Sequence, residues 1–329
     1  MTYTHLTENE RYQIDEWLRE GCSPVLIAAT LGRDPSSISR ELRRNVGARG
    51  WRPRQANSKA LERLSTRGSS NAARIDPEAW EYAKKHLTED QWSPEQISGR
   101  AEREGLNSIS HETIYLRMLD DKKAGGDLYK NLRCKKKRKK RYGSSASLRG
   151  KIPNRVDIED RPAIVETRER IGDWEGDTII GTHTQGAVIT SLVERKSRYT
   201  CLAKSEDKTT KKVIGALQDR MSSMAGMVET ITFDNGREFS EHQRLSNSLN
   251  TDVFFAKPYH SWERGTNENT NGLVRQYHPK GKSFNELSDE DVSNTEKKLN
   301  DRPRKCLDYQ TPLEVFSRSC RRRGIALRI

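Results

Sequence analysis

The sequence predicts a multidomain protein in which all-α units of short helices precede an α/β domain with a mixed five-stranded sheet. Two observations carry that expectation. In the N-terminal third the apolar residues recur at i, i+3 and i+4, as in helices. Beyond about residue 165 they alternate with polar residues or form short unbroken runs, as in strands. A chain of 329 residues also has room for two or three domains.

Thr7 to Glu20 carries Ile14, Trp17 and Leu18 on one helical face. Ser23-Pro24 supplies an N-cap and a first-turn proline for a second helix with Ile27 and Leu31, which Gly32 ends. Asp34-Pro35 opens a third, in which Ile38 and Leu42 form the inward stripe and Ser36, Ser37, Arg40, Arg43 and Arg44 are left for the other faces. Three short helices with a tight Gly-containing turn between the last two make a helix-turn-helix over residues 1–50. The string IAATLGRDPSSISRELRRN resembles that motif as it occurs in bacterial DNA-binding proteins, with Pro35 to Asn45 as the recognition helix.

Residues 51–73 are polar and basic and read as a linker with a helical stretch near Ala60. A looser copy of the first unit follows over 74–125. It has helix starts at Asp76-Pro77, Ser93-Pro94 and Ser110, and apolar positions at Trp80, Ala83, Ile97, Ile114, Tyr115 and Met118. Its last helix offers only Arg117, so a protein-contacting or structural role competes with DNA binding. Residues 126–165 read as a basic linker.

In the remaining stretch, 166–329, Ile171 to Gly181, Ala187 to Glu194 and Tyr199 to Ser205 read as a three-strand meander. Thr209 to Met224 has helical spacing, Val228 to Phe233 is an apolar strand and Arg237 to Leu249 a helix. Asp252 to Phe255 gives the fifth strand and Gly265 to Tyr277 a further helix, before a helical and basic C-terminal tail. The order βββαβαβα is an α/β layout.

Sixty Lys plus Arg against 47 Asp plus Glu leave +13, which favours a polyanionic partner, nucleic acid first. Residues 1–150 hold +10 of that excess and the rest +3. Eight cations crowd into nine residues: Arg133, Lys135, Lys136, Lys137, Arg138, Lys139, Lys140 and Arg141. Such a run suits phosphate neutralisation, with a solvated tether as the plainer alternative. The five cysteines lie at least 14 residues apart and the histidines at least 18, which excludes zinc knuckles and fingers and argues against a disulfide framework. With no apolar run of membrane length and no signal-peptide layout at MTYTHLTENER, a cytoplasmic protein without a membrane partner is expected.

Three acids occupy telling positions. Asp177 lies in the first strand within WEGDT, Asp234 follows the apolar strand at the sheet's carboxyl edge, and Glu268 starts the last helix within TNEN. Clustered carboxylates repel one another unless they hold divalent cations.

The strings GDWEGDTIIG, TFDNGREF and SWERGTNENTNGLVRQYHPKG resemble the three blocks of the IS30 family of bacterial insertion-sequence transposases, and the resemblance covers essentially the whole chain. It implies a ribonuclease-H-like DDE catalytic domain with Asp177, Asp234 and Glu268 as catalytic metal ligands. It also implies that Arg275, seven residues after Glu268, contacts DNA, and that the protein is a bacterial one associated with the nucleoid. Asp173 and Glu175 share Asp177's face of the pleat, so geometry does not choose among them, and the family pattern favours Asp177. Glu263 reads as a surface carboxylate paired with Arg264 in preference to a ligand. His260 could equally contact DNA or bond within its loop, and Trp262 either stacks on a base or plugs the loop.

Two Mg²⁺ ions about 4 Å apart, or Mn²⁺ in their place, would activate a water or 3′-hydroxyl and stabilise the leaving oxygen. No covalent protein intermediate is then needed. The expected protein binds the terminal repeats of an element as a homodimer or larger assembly, cleaves there and joins the ends to target DNA. The competing classes are a non-enzymatic helix-turn-helix regulator and a nuclease of the same fold without strand transfer.

Overall fold

The computed structural model describes residues 5–72, 75–133, 152–182, 186–257 and 265–325, without the side chains of 65–72. Its internal contacts divide the chain into two units, Met1–Asp76 and Pro77–Ile329.

In the first unit, Thr7 caps α1 (Glu8–Arg19) through a reciprocal box with Glu10. Ser23 caps α2 (Pro24–Thr30) and Asp34 caps α3 (Pro35–Arg44), each of these two helices with proline in its first turn. Ile14, Ile27, Ala28 and Ile38 meet as its core. The expected linker is instead largely a helix, α4 (Pro53–Ala72), with Ala56 fully buried. The polar composition that suggests a tether serves to cap its neighbour. Lys59 Nζ donates to the Val46 carbonyl at 2.7 Å, and Arg63 donates to the Arg44 carbonyl at 3.2 Å and to the Asn45 carboxamide. These are carbonyls at and just past the end of α3, which a helix leaves unpaired.

A buried ion pair ties the unit together. Arg11 Nε lies 2.7 Å from Glu41 Oε1, and Arg11 Nη1 donates to the Leu6 carbonyl at 2.7 Å and to Asn57 Oδ1 at 3.0 Å. Glu41 thereby pins the inner face of α3 to α1 and α4.

In the second unit, α5 (Pro77–Thr88), α6 (Pro94–Arg103) and α7 (His111–Lys123) belong to the same body as the sheet. Gly99 of α6 explains the closeness: a Cβ there would fall 2.3 Å from the Tyr309 ring. Arg302 Nε donates to Gln96 Oε1 at 2.8 Å. Of the expected basic linker, Leu128–Asn131 forms a 3₁₀ turn after α7, and Phe255 donates its backbone N–H to the Val156 carbonyl at 2.9 Å. Lys135 to Arg141 lie outside the described residues.

After the short α8 (Ile164–Thr167) come β1 (Asp173–Ile180), β2 (Val188–Glu194) and β3 (Thr200–Ser205), an antiparallel meander. They are followed by α9 (Thr210–Met221), β4 (Thr230–Phe233), α10 (His242–Leu249) and β5 (Asp252–Phe255). The strand order β3-β2-β1-β4-β5, with β4 parallel to β1 and β5 parallel to β4, is the expected ribonuclease-H-like mixed sheet. The helix expected from Arg237 begins as a separate 3₁₀ turn, Arg237–Phe239, which lays Phe239 on Phe233 with ring centres 4.1 Å apart.

Both faces of the sheet are covered, so β2 is buried along its whole length. Trp174, Leu192, Ile231 and Phe233 pack on one face with residues of α9, α10 and α13 (Pro312–Arg322). Ile179, Ile189 and Leu202 pack on the other with α11 (Gly265–Tyr277) and α12 (Asp289–Asn300). No helix among the described residues is long and apolar enough to cross a membrane.

Glu41→Ala should cost about 3–5 kcal/mol by stranding a buried guanidinium, whereas Arg40→Ala on the outer face should change stability by no more than about 0.5 kcal/mol. Amide exchange of α1 and α3 in the full chain reads the difference. Equal protection in the two variants would remove the Arg11–Glu41 pair from its structural role.

Candidate active site

Strand register decides which acids can meet. On β1 and β4, Asp173 pairs with Thr230, Trp174 with Ile231 and Glu175 with Thr232. Carried two residues on, that register sets Asp177 level with Asp234 on neighbouring parallel strands, whose spacing is about 4.8 Å. The facing is also fixed. Thr230 Oγ1 donates to Asp173 Oδ1 at 2.8 Å, so the even-numbered β4 side chains lie on the face of the odd-numbered β1 acids, and alternation extends this to Asp177 and Asp234. Gly176 permits the approach, because a Cβ there would sit 2.3 Å from the Phe233 ring.

The three β1 acids that share this face have different surroundings. Asp173 is fully buried and ion-paired to Arg170 at 2.6 Å. Glu175 is fully buried, 3.1 Å from the equally buried Arg195 guanidinium, and its Oε2 accepts the Asn267 backbone N–H at 3.0 Å. Asp177 alone is partly open to solvent. Arg195 is backed by Glu166 at 3.1 Å, which also pairs with Arg161. Burial, together with the nearby Arg195, holds the Arg161 guanidinium below its ordinary pKa.

α11 is fastened to this face by amide side chains. Asn267 Nδ2 donates to the Glu175 carbonyl at 2.7 Å and the Ser191 carbonyl at 3.1 Å. One turn on, Asn271 Nδ2 donates to Asp177 Oδ2 at 2.8 Å, while its Oδ1 accepts from Ser191 Oγ at 2.6 Å. The amide therefore orients the Asp177 carboxylate. Asp234 Oδ1 accepts the Gly236 backbone N–H at 2.9 Å, which sets it in a tight Asx turn.

Glu268 follows Asn267 in the first turn of α11 and is exposed. Asp177 and Asp234 are thus brought to one sheet edge, with Glu268 on the helix docked against it. Among the described residues no three carboxylates, imidazoles or thiols are gathered closely enough to hold a metal ion. The carboxylate oxygens of Asp177 and Asp234 are nevertheless hard ligands chemically suited to a divalent cation such as Mg²⁺, with the Asn271 amide N–H and Ser191 bracing Asp177 from behind.

Arg275 lies inward: Nη2 donates to the Ile180 carbonyl at 2.5 Å, and the guanidinium sits over the Phe284 ring at 5.5 Å. Burial lowers its pKa. In this position it ties α11 to the end of β1. Arg133, the first cation of the basic run, donates to Asn269 Oδ1 at 3.1 Å, and glycine at 272 leaves room for its guanidinium. Tyr259, His260, Trp262 and Glu263 lie outside the described residues. In the first unit Ser36, Arg40, Arg43 and Arg44 are exposed on α3 and Ser37 is half-buried. Sequence reasoning missed Asn267, Asn271, Ser191 and Arg195. Only the i, i+4 recurrence of asparagine in α11 signals a polar face turned inward.

A family model described as a helix-turn-helix domain matches residues 2–45. The chain is 41% identical over 324 residues to the transposase for insertion sequence element IS4351 of Bacteroides fragilis, covering 98% of both chains. It is 34% identical to transposase InsI for insertion sequence element IS30A of Escherichia coli K12, covering 98% of this chain and 85% of that one. The chain belongs to the IS30 family of insertion-sequence transposases. It is a DNA transposase, an enzyme of the DDE recombinase type with a ribonuclease-H-like domain. Among solved structures, the transposase resembles the HTLV-2 integrase catalytic core domain in complex with magnesium at 18% identity and a TM-score of 0.34, over 44% of this chain and 96% of that one.

The surroundings of the β1 acids make opposite demands on folding. Glu175→Ala should destabilise the second unit by about 3–5 kcal/mol, since Arg195 loses its buried partner, while Asp177→Asn should leave stability unchanged within about 0.5 kcal/mol. Thermal unfolding of the two variants separates them. A destabilised Asp177→Asn would mean that this carboxylate belongs to the core.

Proposed function

We propose that Asp177, Asp234 and Glu268 are the catalytic carboxylates of this transposase, and that they hold two divalent cations, Mg²⁺ or Mn²⁺ in its place. The observation that carries the reading is the β1–β4 register, which sets Asp177 beside Asp234 on the face where α11 docks. When bound, the cations would activate the attacking hydroxyl and stabilise the leaving 3′-oxygen of a phosphodiester. Asn271 holds the Asp177 carboxylate in one rotamer. Asn267 fixes the turn of α11 that carries Glu268. The partly open edge admits a DNA strand, whereas Glu175 and Asp173 are sealed beneath it.

We further infer a division of labour along the chain. The exposed arginines Arg40, Arg43 and Arg44, with Ser36 and Ser37, read the terminal repeats of the element. Arg133, Lys135, Lys136, Lys137, Arg138, Lys139, Lys140 and Arg141 neutralise phosphates, a use that their crowding in the sequence supports. Joining two ends to a target calls for at least a dimer on DNA, acting in the bacterial cytoplasm on nucleoid DNA.

Asp177→Asn, Asp234→Asn and Glu268→Gln should each abolish Mg²⁺-dependent cleavage of end DNA and joining of pre-cut ends to a plasmid, with end binding retained. Strand transfer by any one of them at a level comparable to the parent would remove that residue from the set. If the parent cut but never joined, the reading would change to a nuclease.

Alanine at Arg40, Arg43 or Arg44 should weaken end binding by about 1–3 kcal/mol and relax base preference wherever the lost arginine reads a base. Footprints on end DNA check this. Protection unchanged in the triple variant would place end recognition elsewhere in the chain.

A further inference from the structure

α13 is an amphipathic helix whose inner side is fixed by aromatic packing. Phe316 is fully buried, stacked on Tyr199 at 4.4 Å and edge-on to Trp174 at 5.7 Å, and Cys320 is buried one turn later. These contacts belong to the core on the sheet face opposite α11. The outer side of the helix is consequently rigid, and it presents Arg318, Arg321 and Arg322, all exposed, at i, i+3 and i+4.

Between α13 and α6 lies a cleft of about 250 Å³. Four arginines and two glutamates line it, together with Gln310. The glutamates are taken up by one arginine. Arg100 forms a two-pronged pair with Glu314 at 2.7 and 2.8 Å and donates Nε to Glu104 at 2.6 Å. Arg103 is matched by Asp308. Arg318, by contrast, donates to the neutral Gln310 at 2.7 Å, and Arg321 lines the cleft as an exposed side chain. Four arginines therefore face three carboxylates, which leaves the cleft with a positive excess centred on Arg318 and Arg321, and the Arg100–Glu314 pair holds its two walls together.

We propose that this cleft binds the backbone phosphates of duplex DNA. It would be a contact built from none of the residues of the helix-turn-helix or the carboxylate site. The forked N–H groups of arginine match phosphate oxygens, and a cleft of this size admits a phosphate but not a base pair. The contact is consequently independent of sequence. It shares with the preceding reading only that DNA is the partner, and it stands whichever carboxylates react.

The test is a salt titration of full-length protein binding to random-sequence duplex, comparing the parent with Arg318→Gln/Arg321→Gln and Arg318→Lys/Arg321→Lys. Removing two phosphate contacts should make the slope of log affinity against log salt shallower by about 2, with the lysine pair keeping the parental slope. The same change should appear in a background carrying Arg40→Ala, Arg43→Ala and Arg44→Ala. Near-ultraviolet circular dichroism, reporting the Phe316–Tyr199–Trp174 cluster, confirms that each variant is folded. Identical slopes for the parent and the glutamine variant would overturn the proposal. So would a glutamine variant that changes the mass of the free protein in sedimentation but not its salt slope, since the cleft would then be a contact between copies. A parent showing no salt-dependent duplex binding would overturn the DNA reading as a whole, a result distinct from failure of the cleft alone.

Discussion

A carboxylate sealed from water inside a sheet face imposes itself on everything around it, and Glu175 is that carboxylate. An unpaired charge so placed would cost several kcal/mol, so Arg195 must be buried beside it at 3.1 Å, and Arg195 in turn is backed by Glu166 at 3.1 Å. The remaining carboxylate oxygen takes a backbone N–H from the first turn of α11, where the helix dipole also favours negative charge. The helix that carries Glu268 is in this way docked by an anion under the sheet. Asn267 and Asn271 then fix its rotation against Ser191 and Asp177. The site at the sheet edge inherits its order from charge balance beneath it.

The positive charge of the chain likewise divides into two kinds. Arg11, Arg161, Arg195, Arg302 and Arg304 are buried, several of them against carboxylates or carbonyls, and serve to join elements distant in sequence. Burial lowers the pKa of Arg304 to about 10. Arg40, Arg43, Arg44, Arg318 and Arg321 are exposed. Net charge predicts a polyanionic partner correctly, yet it cannot distinguish a guanidinium that bonds DNA from one that bonds the fold.

The sheet was largely legible in the sequence because its periodicity is strong: β2 and β5 lie within the expected spans and α11 has the expected bounds, Gly265–Tyr277. The caps at Ser23, Asp34 and Ser93 were legible too, since each is followed by proline and closes its own first turn. α4 was not. Its polar side chains satisfy carbonyls of Arg44 and Val46, a tertiary use that composition cannot display. Strand geometry likewise did not separate Asp177 from Asp173 and Glu175, and only the family pattern favoured it. All three share one face of the pleat, and only the depth of burial along β1 tells them apart.

Gly99 and Arg100 carry a consequence for dissecting the protein. A fragment beginning at residue 166, where strand-like periodicity starts, would keep Tyr309, Glu314 and Arg302 but lose the α6 surface on which they rest. Its newly bared flank would expose an aromatic ring and an unmatched carboxylate, an invitation to aggregate. The natural cutting point lies at Pro77, where the second unit begins. A fragment that starts at that boundary would leave the α6 surface intact beneath Tyr309.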